Sequence, residues 1–394
     1  MIEVLTREEQ EILLDRGIEN LLSNDDRRRF AGGVCLVTGA GGSVGSELAQ
    51  QLAACKPARL VLVDHSEHAL FRIEQHLSET DPDVVIEPVL CDVTRSVSVS
   101  RLLRRVRPDV VFHAAAYKHV TMAERNVVAA ARVNVLGTLV VLAAAKEVGA
   151  RFVLISSDKA AAPTSVMGAT KRFAELAVLA NGDEKMRPIV VRFGNVLASS
   201  GSFVEIMRER IRRRLPVLVT DPDATRFFMA VTEAASLVMK ASVIAQGGET
   251  FWLDMGPQIR IGDLVDRLMR AAAEQGFDAV PVQIIGLRPG EKLQEQLASQ
   301  GISLKRTLDS RIWVARQPRA IAARHALAMD ALRRGISRDE ASVVLQALTT
   351  AVSEFEPSAF AREIAEQTDA QSVSSPRRST RVRNAVLNAR SRAA

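Results

Sequence analysis

Six short runs rich in Val, Ile and Leu lie between residues 34 and 193, and stretches with helical periodicity separate them. The runs are VCLVT, RLVLVD, VVIEPVL, DVVFHAA, RFVLIS and PIVVRF. Apolar runs of this length are typical of strands buried on both faces, and strands that alternate with helices run parallel. The pattern therefore predicts an α/β fold, with a doubly wound parallel sheet covered by helices on both faces.

A glycine-rich turn follows the first run, in T-G-A-G-G-S-V-G-S-E-L, and it contains Gly39, Gly42 and Gly45. Such a turn lets the backbone approach a pyrophosphate, whose charge is met by helix amides, here at Ser43 and Val44. The second strand ends in Asp64, where a carboxylate binds ribose hydroxyls. We therefore predict a Rossmann-type site, and because Asp64 would repel a 2′-phosphate, the expected cofactor is NAD and not NADP.

The ends of the third and fourth strands complete the predicted cofactor site. Asp92 closes the third strand, where it could face the adenine ring or equally act as a simple turn cap. We also expect contacts with the cofactor from small apolar residues after these two strands: Val93, Ala114, Ala115 and Ala116.

The chain divides into four expected segments. Residues 1–30 form a helical arm and linker, and residues 31–195 form the NAD-binding domain. After residue 195 the regular alternation loosens, which predicts a smaller substrate-binding lobe at 196–357 with sheet-completing and C-terminal helical segments. Residues 358–394 form a basic tail that we expect to be disordered.

The formal net charge of +6 belongs entirely to the last 25 residues of this tail, because residues 1–369 contain as many acidic as basic residues. From residue 370 onwards the chain has six arginines and no lysine, aspartate or glutamate. Aromatic residues make up only 4% of the chain, too few for the stacking platforms of single-stranded nucleic-acid binders, so we expect no nucleic-acid partner. The tail is instead expected to make at most a weak contact with an anionic membrane surface.

Cysteine usage and the N-terminus predict a cytoplasmic protein. Cys35, Cys55 and Cys91 show no C-x-x-C spacing, which fits buried thiols in a reducing compartment. The N-terminus lacks the apolar core of a signal peptide, and we find no run of about 18 uncharged apolar residues, so we expect no transmembrane segment. His65 and His68 have no third ligand nearby, and we expect no metal site.

Five further motifs follow in order: HAAAYKHV at 113–120, ISSDKAAAPTSVMGATKR at 155–172, VRFGNVLASSGS at 191–202, DPDATRFFM at 221–229 and GLRPGEKL at 286–293. With the glycine turn they resemble the CapD-like polysaccharide-biosynthesis nucleotide-sugar 4,6-dehydratases of the extended short-chain dehydrogenase/reductase superfamily. The resemblance covers about residues 34–297. Met167, where short members of the family carry Tyr, resembles the long type, so we expect the catalytic half of a long enzyme without its membrane half.

The resemblance implies a specific chemistry for the site. A 4,6-dehydratase oxidises C4 of the sugar, removes the C5 proton, expels the C6 hydroxyl as water and returns the hydride to C6. By resemblance, Asp158 protonates the departing hydroxyl and Lys159 is the C5 base, which requires a lowered lysine pKa. Lys171 is expected to hold the nicotinamide ribose. Because Met167 replaces Tyr, the C4 hydroxyl proton is expected to leave through Ser157 or a bound water.

A UDP-sugar requires cationic groups for its diphosphate and hydrogen-bond partners for its uracil and ribose. The matching motifs supply six expected substrate contacts: Lys118, His119, Asn195, Arg226, Arg288 and Glu291. The favoured substrate is UDP-N-acetylglucosamine. Two alternatives stay open, a UDP-sugar epimerase on the same scaffold and a non-catalytic nucleotide-sugar or NAD-binding regulator, and the family suggests a homo-oligomer.

Overall fold

The computed structural model describes residues 5–19, 21–181, 186, 188–197, 199–298, 302–316 and 322–374. Its strands are β1 Val34–Thr38, β2 Arg59–Asp64, β3 Ile86–Leu90, β4 Val110–His113, β5 Arg151–Ser157, β6 Ile189–Phe193, β7 Asn195–Val196, β8 Val217–Val219, β9 Thr225–Arg226, β10 Phe228–Met229, β11 Glu249–Leu253, β12 Ile259–Arg260, β13 Val282–Ile284, β14 Lys305–Arg306 and β15 Ile312–Arg316. The predicted tail from residue 375 onwards lies outside the described residues.

The helices complete the element list. They are α1 Arg7–Leu14, α2 Asn24–Arg28, α3 Ser43–Ala53, α4 Glu67–Thr80, α5 Ser96–Val106, α6 Val120–Arg125, α7 Val127–Ala131, α8 Thr138–Val148, α9 Val166–Asn181, α10 Phe203–Arg212, α11 Val231–Ile244, α12 Ile261–Glu274, α13 Ala322–Arg338, α14 Ala341–Ala351 and α15 Ala359–Ser374. A π-helical segment, Arg132–Gly137, joins α7 to α8, and a 3-10 turn, Asp158–Ala160, follows β5.

Nine strands form one sheet in the order β14-β15-β11-β6-β5-β4-β1-β2-β3. The seven strands from β3 to β11 are parallel, whereas β15 pairs with β11 and with β14 in antiparallel register. All six predicted strands are present, which confirms the doubly wound α/β fold. Because the chain reverses its direction of winding between β1 and β4, a crevice opens at the carboxyl ends of these strands.

Two apolar layers cover the two faces of the sheet. Cys35 and Val37 of β1 point into one layer, which includes residues of α3, α4 and α11, and Leu36 points into the other, which includes residues of α5, α8 and α9. Because successive side chains of a strand point to opposite faces, each strand contributes apolar side chains to both layers. The sheet is thereby fixed from both sides, and the loops at its carboxyl edge start from rigid elements.

The helical stretch Val127–Val148 is the single described segment long and apolar enough to cross a membrane by length and composition. The sequence analysis did not single it out. In its most apolar window 61% of the residues are buried inside the fold, and Val141 and Leu142 belong to a layer covering the sheet. Core helices of folded domains pass the same test, so this composition is weak evidence for a membrane span.

The N-terminal helix α1 packs against the lobe that follows β7. Leu13 and Leu14 are buried in a cluster with residues of α10 and α12. After α1, the guanidinium of Arg16 donates to both carboxylate oxygens of Glu233 on α11, at 2.6 and 2.8 Å. The first residues of the chain thus contact elements more than 200 residues away in sequence.

The C-terminal helices α13 and α14 cover an apolar face formed by α7 and α9, and α15 packs against α14 and α6. Ala359–Ser374 is helical, which differs from the disordered tail that we placed from residue 358 onwards. Small residues explain the difference, because Ala361 and Ala365 are buried one turn apart in the same apolar cluster as α14. In addition, the Asp369 carboxylate accepts bonds from the Ala341 and Ser342 amides at 2.6 and 3.0 Å.

Candidate active site

The predicted cofactor residues gather at the carboxyl edge of the sheet: Gly39, Gly42, Ser43, Val44, Gly45, Asp64, Asp92, Val93, Ala114, Ala115, Ala116 and Lys171. The glycine loop allows close backbone packing. A Cβ on Gly39, which has φ of 67°, would lie 2.7 Å from the Ala115 nitrogen, and a Cβ on Gly45 would lie 2.0 Å from the Gly39 carbonyl oxygen. No described side chain caps α3, so amides of its first turn are available to an anion.

Asp64 and Asp92 make different contacts. Asp64 is buried, and its carboxylate accepts bonds from the Gly41 amide and the Ser66 amide, both at 2.9 Å, which ties the glycine loop to the end of β2. Asp92 accepts bonds from the amide and hydroxyl of Thr94, at 2.9 and 2.8 Å. The bonds of Asp92 are those of the turn cap that the sequence offered as one alternative, and a contact between Asp92 and adenine stays a prediction.

A buried polar network behind the cofactor loops was not predicted from the sequence. The ring nitrogens of His113 lie 2.7 Å from the Thr38 hydroxyl and 3.0 Å from the Thr138 hydroxyl. Burial lowers the pKa of His113 to about 3, and the charge of Lys171 acts in the same direction. His113 is therefore neutral at physiological pH and links β1, β4 and α8 through hydrogen bonds.

Asn134 fixes the loop that follows β4, and it too was missed. Its amide oxygen accepts a bond from the Tyr117 amide at 2.7 Å, and its nitrogen donates to the Tyr117 carbonyl and the Thr170 hydroxyl, both at 3.0 Å. Asn134 lies in the π-helical segment. Two polar residues, Asn134 and Thr138, within an otherwise apolar helical run were the available signal, because buried polar groups require partners.

Ser157, Asp158 and Lys159 form a compact group at the end of β5. The Ser157 hydroxyl donates to Asp158 Oδ1 at 2.9 Å, and Lys159 Nζ donates to the same oxygen at 3.0 Å. Lys159 Nζ also donates to the Asn195 side-chain oxygen at 3.2 Å. Asp158 is 1% exposed, and its Oδ2 has no hydrogen-bond partner among the described residues.

The structure contradicts the expected lowering of the Lys159 pKa. Burial by itself lowers this pKa, but the carboxylates of Asp158 and Glu295 outweigh burial and raise the pKa above its ordinary value. Lys159 is therefore an ammonium group in this state. The two carboxylates are the reason that the sequence argument failed, since it considered only neighbouring cations and desolvation.

Met167 and Lys171 lie one turn apart on α9. Met167 is buried and packs in the apolar cluster shared with α13 and α14. Lys171 Nζ donates to the Ile155 carbonyl at 2.6 Å, and burial lowers its pKa to about 8 against the opposing charge of Glu175. The position used by tyrosine in short relatives thus holds a thioether that cannot transfer a proton.

Glu175 is the centre of a buried ion network that the sequence analysis did not identify. Its carboxylate accepts bonds from the Ser156 hydroxyl at 2.6 Å and from Arg192 Nε at 2.7 Å, and it pairs with Arg172 at 3.2 Å. Burial raises the Glu175 pKa, but these cations and the hydroxyl outweigh burial and lower it. Arg172 also pairs with Glu354 at 3.1 Å, which connects this network to the C-terminal helices.

A cavity of about 160 Å³ lies beside Lys159. The predicted residues that line it are Lys159, Asn195, Arg226 and Glu291. The side chain of Arg226 is held by the carbonyls of Thr225 and Lys292, at 2.8 and 2.6 Å. This cavity brings the base candidate together with three candidate substrate contacts, and the acid candidate Asp158 contacts the base from outside the lining.

The other predicted substrate residues lie outside the cavity lining. Lys118, His119 and Arg288 are exposed, and the Arg288 amide donates to the Glu291 carboxylate at 3.1 Å. The loop after β7 approaches both sides of the site: a Cβ on Gly201 would lie 2.8 Å from the His119 ring, and the Ser200 amide donates to Ser43 Oγ at 2.9 Å. These residues form the rim of the crevice.

Two charged residues in the cavity were missed by the sequence analysis. Glu295 is buried, with Oε1 3.8 Å from Lys159 Nζ and 3.9 Å from Arg226 Nε. Lys292 donates to the carbonyls of Ala161 and Ala162, at 3.2 and 2.6 Å. Burial lowers the Lys292 pKa. Both residues follow the R-P-G-E motif, from which the sequence analysis selected Arg288 and Glu291 only.

The family model for "Polysaccharide biosynthesis protein" matches residues 35–317. The chain is 41% identical over 295 residues to the capsular polysaccharide biosynthesis protein CapD of Staphylococcus aureus, covering 72% of this chain and 49% of the relative. It therefore spans about half the length of this relative. Two shorter relatives are each 31% identical to this chain and match 68% of it. One is a UDP-glucose 4-epimerase of Rickettsia canadensis, of which 79% is covered. The other is an inverting UDP-N-acetylglucosamine 4,6-dehydratase of Campylobacter jejuni, of which 78% is covered. Among solved structures, Pen from Bacillus thuringiensis has a TM-score of 0.69 at 30% identity, covering 74% of this chain and 90% of that chain.

Proposed function

The chain belongs to the polysaccharide biosynthesis protein family, with CapD-like nucleotide-sugar dehydratases as relatives, and on that basis we propose that it is a nucleotide-sugar 4,6-dehydratase. The proposed substrate is UDP-N-acetylglucosamine, and the product is its 4-keto-6-deoxy derivative. One observation carries the proposal: the carboxylate of Asp158 and the amine of Lys159 meet at 3.0 Å beside a cavity. Loss of water requires an acid near the C6 oxygen and a base near C5.

The glycine loop fits a dinucleotide, and the proposed cofactor is NAD. The close approach of Gly39 and Gly45 to the backbone leaves the first turn of α3 facing the crevice, where a pyrophosphate would be bound by amides. Asp64 offers a carboxylate to ribose hydroxyls and would repel a 2′-phosphate. Bound NAD supplies the reversible acceptance of a hydride. Lys171, held by the Ile155 carbonyl, is positioned to donate to the nicotinamide ribose.

The proton of the C4 hydroxyl requires an acceptor, and the chain offers one without tyrosine. Ser157 Oγ donates to Asp158 Oδ1 at 2.9 Å, so Ser157 can take the C4 proton while its own proton passes to Asp158. Asp158 is then a carboxylic acid and can protonate the C6 hydroxyl as it departs. One proton thus leaves C4–OH and ends in the released water, and Asp158 returns to its ionised state.

This relay also explains how Lys159 becomes a base. In the observed state the Lys159 pKa is raised, chiefly because the charge of Asp158 opposes the effect of burial. Protonation of Asp158 removes this charge, so the pKa of the buried amine falls. Lys159 can then release its proton to solvent through the cavity and accept the C5 proton, which it returns when C6 has been reduced. The free amine regains a proton from solvent at the end of the cycle. Oxidation at C4 would therefore activate the base for the next step.

The substrate's diphosphate and uridine are assigned to the cationic rim and cavity. Arg226 and Asn195 line the cavity, and Arg288 lies at its exposed edge. The Glu291 carboxylate is a candidate acceptor for ribose hydroxyls. Lys118 and His119 are placed on the opposite rim, where the sugar would pass. Guanidinium groups suit a diphosphate because they bind its oxygens in pairs.

Mass spectrometry tests the proposal directly. The protein is incubated with UDP-N-acetylglucosamine and NAD, and the product is expected to be lighter than the substrate by one water. In deuterated water, the wild-type product carries deuterium at C5 and Lys159→Ala abolishes turnover. A product of unchanged mass would show an epimerase, which the 31% identical Rickettsia relative makes the second candidate. Wild-type exchange at C5 in Lys159→Ala would exclude Lys159 as the base.

A further inference from the structure

Glu295 is a buried charge that lies in the cavity of the proposed active site without an assigned role. The residue is 5% exposed. Its backbone is fixed on both sides, because Gln294 forms a bridge with Thr225 and the Glu295 carbonyl accepts a bond from Gln258 Nε2 at 2.9 Å. The carboxylate is therefore held at one position in the cavity wall.

Three cations surround this carboxylate at similar distances. Oε1 lies 3.8 Å from Lys159 Nζ and 3.9 Å from Arg226 Nε, and Oε2 lies 3.9 Å from Lys292 Nζ. These distances are too long for hydrogen bonds, although they are short enough for charge compensation. The cations compensate the charge of the carboxylate, but at these distances they donate no hydrogen bond to its oxygens.

The Oε2 atom is buried and has no hydrogen-bond partner among the described residues. Asp158 Oδ2 has the same property, and Glu295 and Lys159 both line the cavity of about 160 Å³. A buried acceptor without a donor is costly, and its cost is recovered when a ligand supplies the donor. A hexose presents several hydroxyl donors, whereas a diphosphate presents acceptors only.

We propose that Glu295 is a substrate-binding residue whose Oε2 accepts a hydrogen bond from a hydroxyl of the hexose. The inference rests on the proposed function, since it requires a nucleotide sugar in the cavity. It assigns Glu295 to the hexose because its carboxylate lies beside Lys159, the proposed base for C5, whereas Glu291 is the candidate for the ribose hydroxyls and a carboxylate repels a diphosphate. Through Oε1 the same side chain stays a counter-ion of Lys159, so sugar binding and the position of the base are linked.

Comparison of UDP with UDP-hexoses separates this role from a merely structural one. Binding of UDP, UDP-N-acetylglucosamine and UDP-glucose to the full chain is measured by calorimetry for the wild type and Glu295→Gln, with NADH in place of NAD because NADH cannot accept a hydride from the sugar. In the variant, the two cations near Oε1 favour the amide oxygen at that position, which places the NH₂ group at Oε2. We expect the hexose nucleotide to bind about 10- to 100-fold more weakly, as for loss of a bond to a charged group, while UDP affinity does not fall.

Two further variants control for folding and for charge. Glu295→Asp keeps an acceptor and is expected to recover part of the lost affinity. Glu274→Gln, on the exposed side of α12, removes one negative charge far from the cavity and is expected to bind both ligands as the wild type does.

Equal weakening of UDP and the hexose nucleotide in Glu295→Gln, or no weakening of either, would overturn the inference. So would a wild-type protein for which no hexose adds to the affinity for UDP. If the inference holds but the product of the wild type has an unchanged mass, the dehydratase proposal alone fails, because binding is measured without turnover.

Discussion

The proposed C4 oxidation depends on the side-chain hydroxyl of Ser157. Because it donates to Asp158 at 2.9 Å, Ser157→Ala removes the path from C4–OH to the carboxylate, and we expect turnover to fall about 100-fold. Hydride removal should then limit the rate, so the kinetic isotope effect of 4-deuterated substrate is expected to rise. Ser157→Thr keeps the hydroxyl and should retain activity. An Ala variant with the wild-type rate and isotope effect would refute the relay.

His113 couples the stability of the fold to pH. Its pKa falls from 6.5 in the unfolded chain to about 3 in the folded one, because the ring is fully buried. Between these pH values the unfolded chain binds a proton that the folded chain excludes. The contribution of neutral His113 to the free energy of unfolding is therefore fully present above pH 6.5 and decreases as the pH falls towards 3. The full effect is about 5 kcal/mol.

His113→Gln should therefore flatten the pH dependence of the free energy of unfolding. Gln can still donate to one threonine and accept from the other, but it binds no proton. Between pH 4 and 6, we expect the slope of the free energy of unfolding against pH to decrease by up to about 1.4 kcal/mol per pH unit, as measured by urea denaturation. The matched variant His68→Gln changes an exposed histidine and should leave the slope as it is. Identical slopes in both variants would contradict the assignment.

At the residue scale, the spacing of the motifs identified functional side chains that directly follow a strand. It did not identify the charged side chains that complete the lining of the cavity. Asp158 and Lys159 could be placed because they end a strand in a recognisable motif. Glu295 could not, because its approach to Lys159 depends on a bridge between Gln294 and Thr225, nearly 70 residues apart. The error on the Lys159 pKa has the same origin, since the second carboxylate was not visible in the local sequence.

At the level of elements, the contact between α3 and β1 decides whether the cofactor loop can form. A Cβ on Gly45 would lie 2.0 Å from the Gly39 carbonyl oxygen, and neither backbone can move alone. Gly45→Ala is expected to destabilise the protein by about 3 kcal/mol and to weaken NAD binding more than 10-fold. Thermal unfolding and calorimetry measure the two effects.

Gly17→Ala is the matched control for this prediction. A Cβ on Gly17 would meet no atom within 4 Å. The free energy of unfolding of this variant should therefore stay within about 0.5 kcal/mol of the wild-type value, and its affinity for NAD should not change. If Gly45→Ala also bound NAD normally, the loop would not be the cofactor site.

Most of the parallel strands were predictable because they are continuous apolar runs buried on both faces, whereas the edge strand β3 is only partly buried. The antiparallel edge strand β14 was not predictable, because Lys305–Arg306 is too short and polar to show a strand pattern. Helix α15 was missed for a related reason. Its burial depends on two alanines, Ala361 and Ala365, and alanine carries little periodic signal compared with leucine or valine.

Over the whole molecule, the cavity is enclosed by segments far apart in the chain. Lys159 follows β5, Arg226 belongs to β9, and Glu295 comes after β13, so the site forms only when the lobe after β7 packs on the sheet. The N-terminal arm contacts this lobe through α1, and Arg16 binds Glu233 on α11. The position of the lobe therefore depends partly on residues at the start of the chain.

Arg16→Ala tests this dependence. Glu233 is fully buried, and burial would raise its pKa, but the bonds from Arg16 outweigh burial and lower it. Removing Arg16 leaves the carboxylate with the more distant Arg311, at 3.6 Å, so we expect a loss of about 2 kcal/mol in the free energy of unfolding by urea. Arg28→Ala breaks an exposed pair with Asp25, whose side chains are 75% and 86% exposed, and should cost less than about 0.5 kcal/mol. Equal stability of the two variants would mean that the pair between Arg16 and Glu233 does not fix the arm to α11.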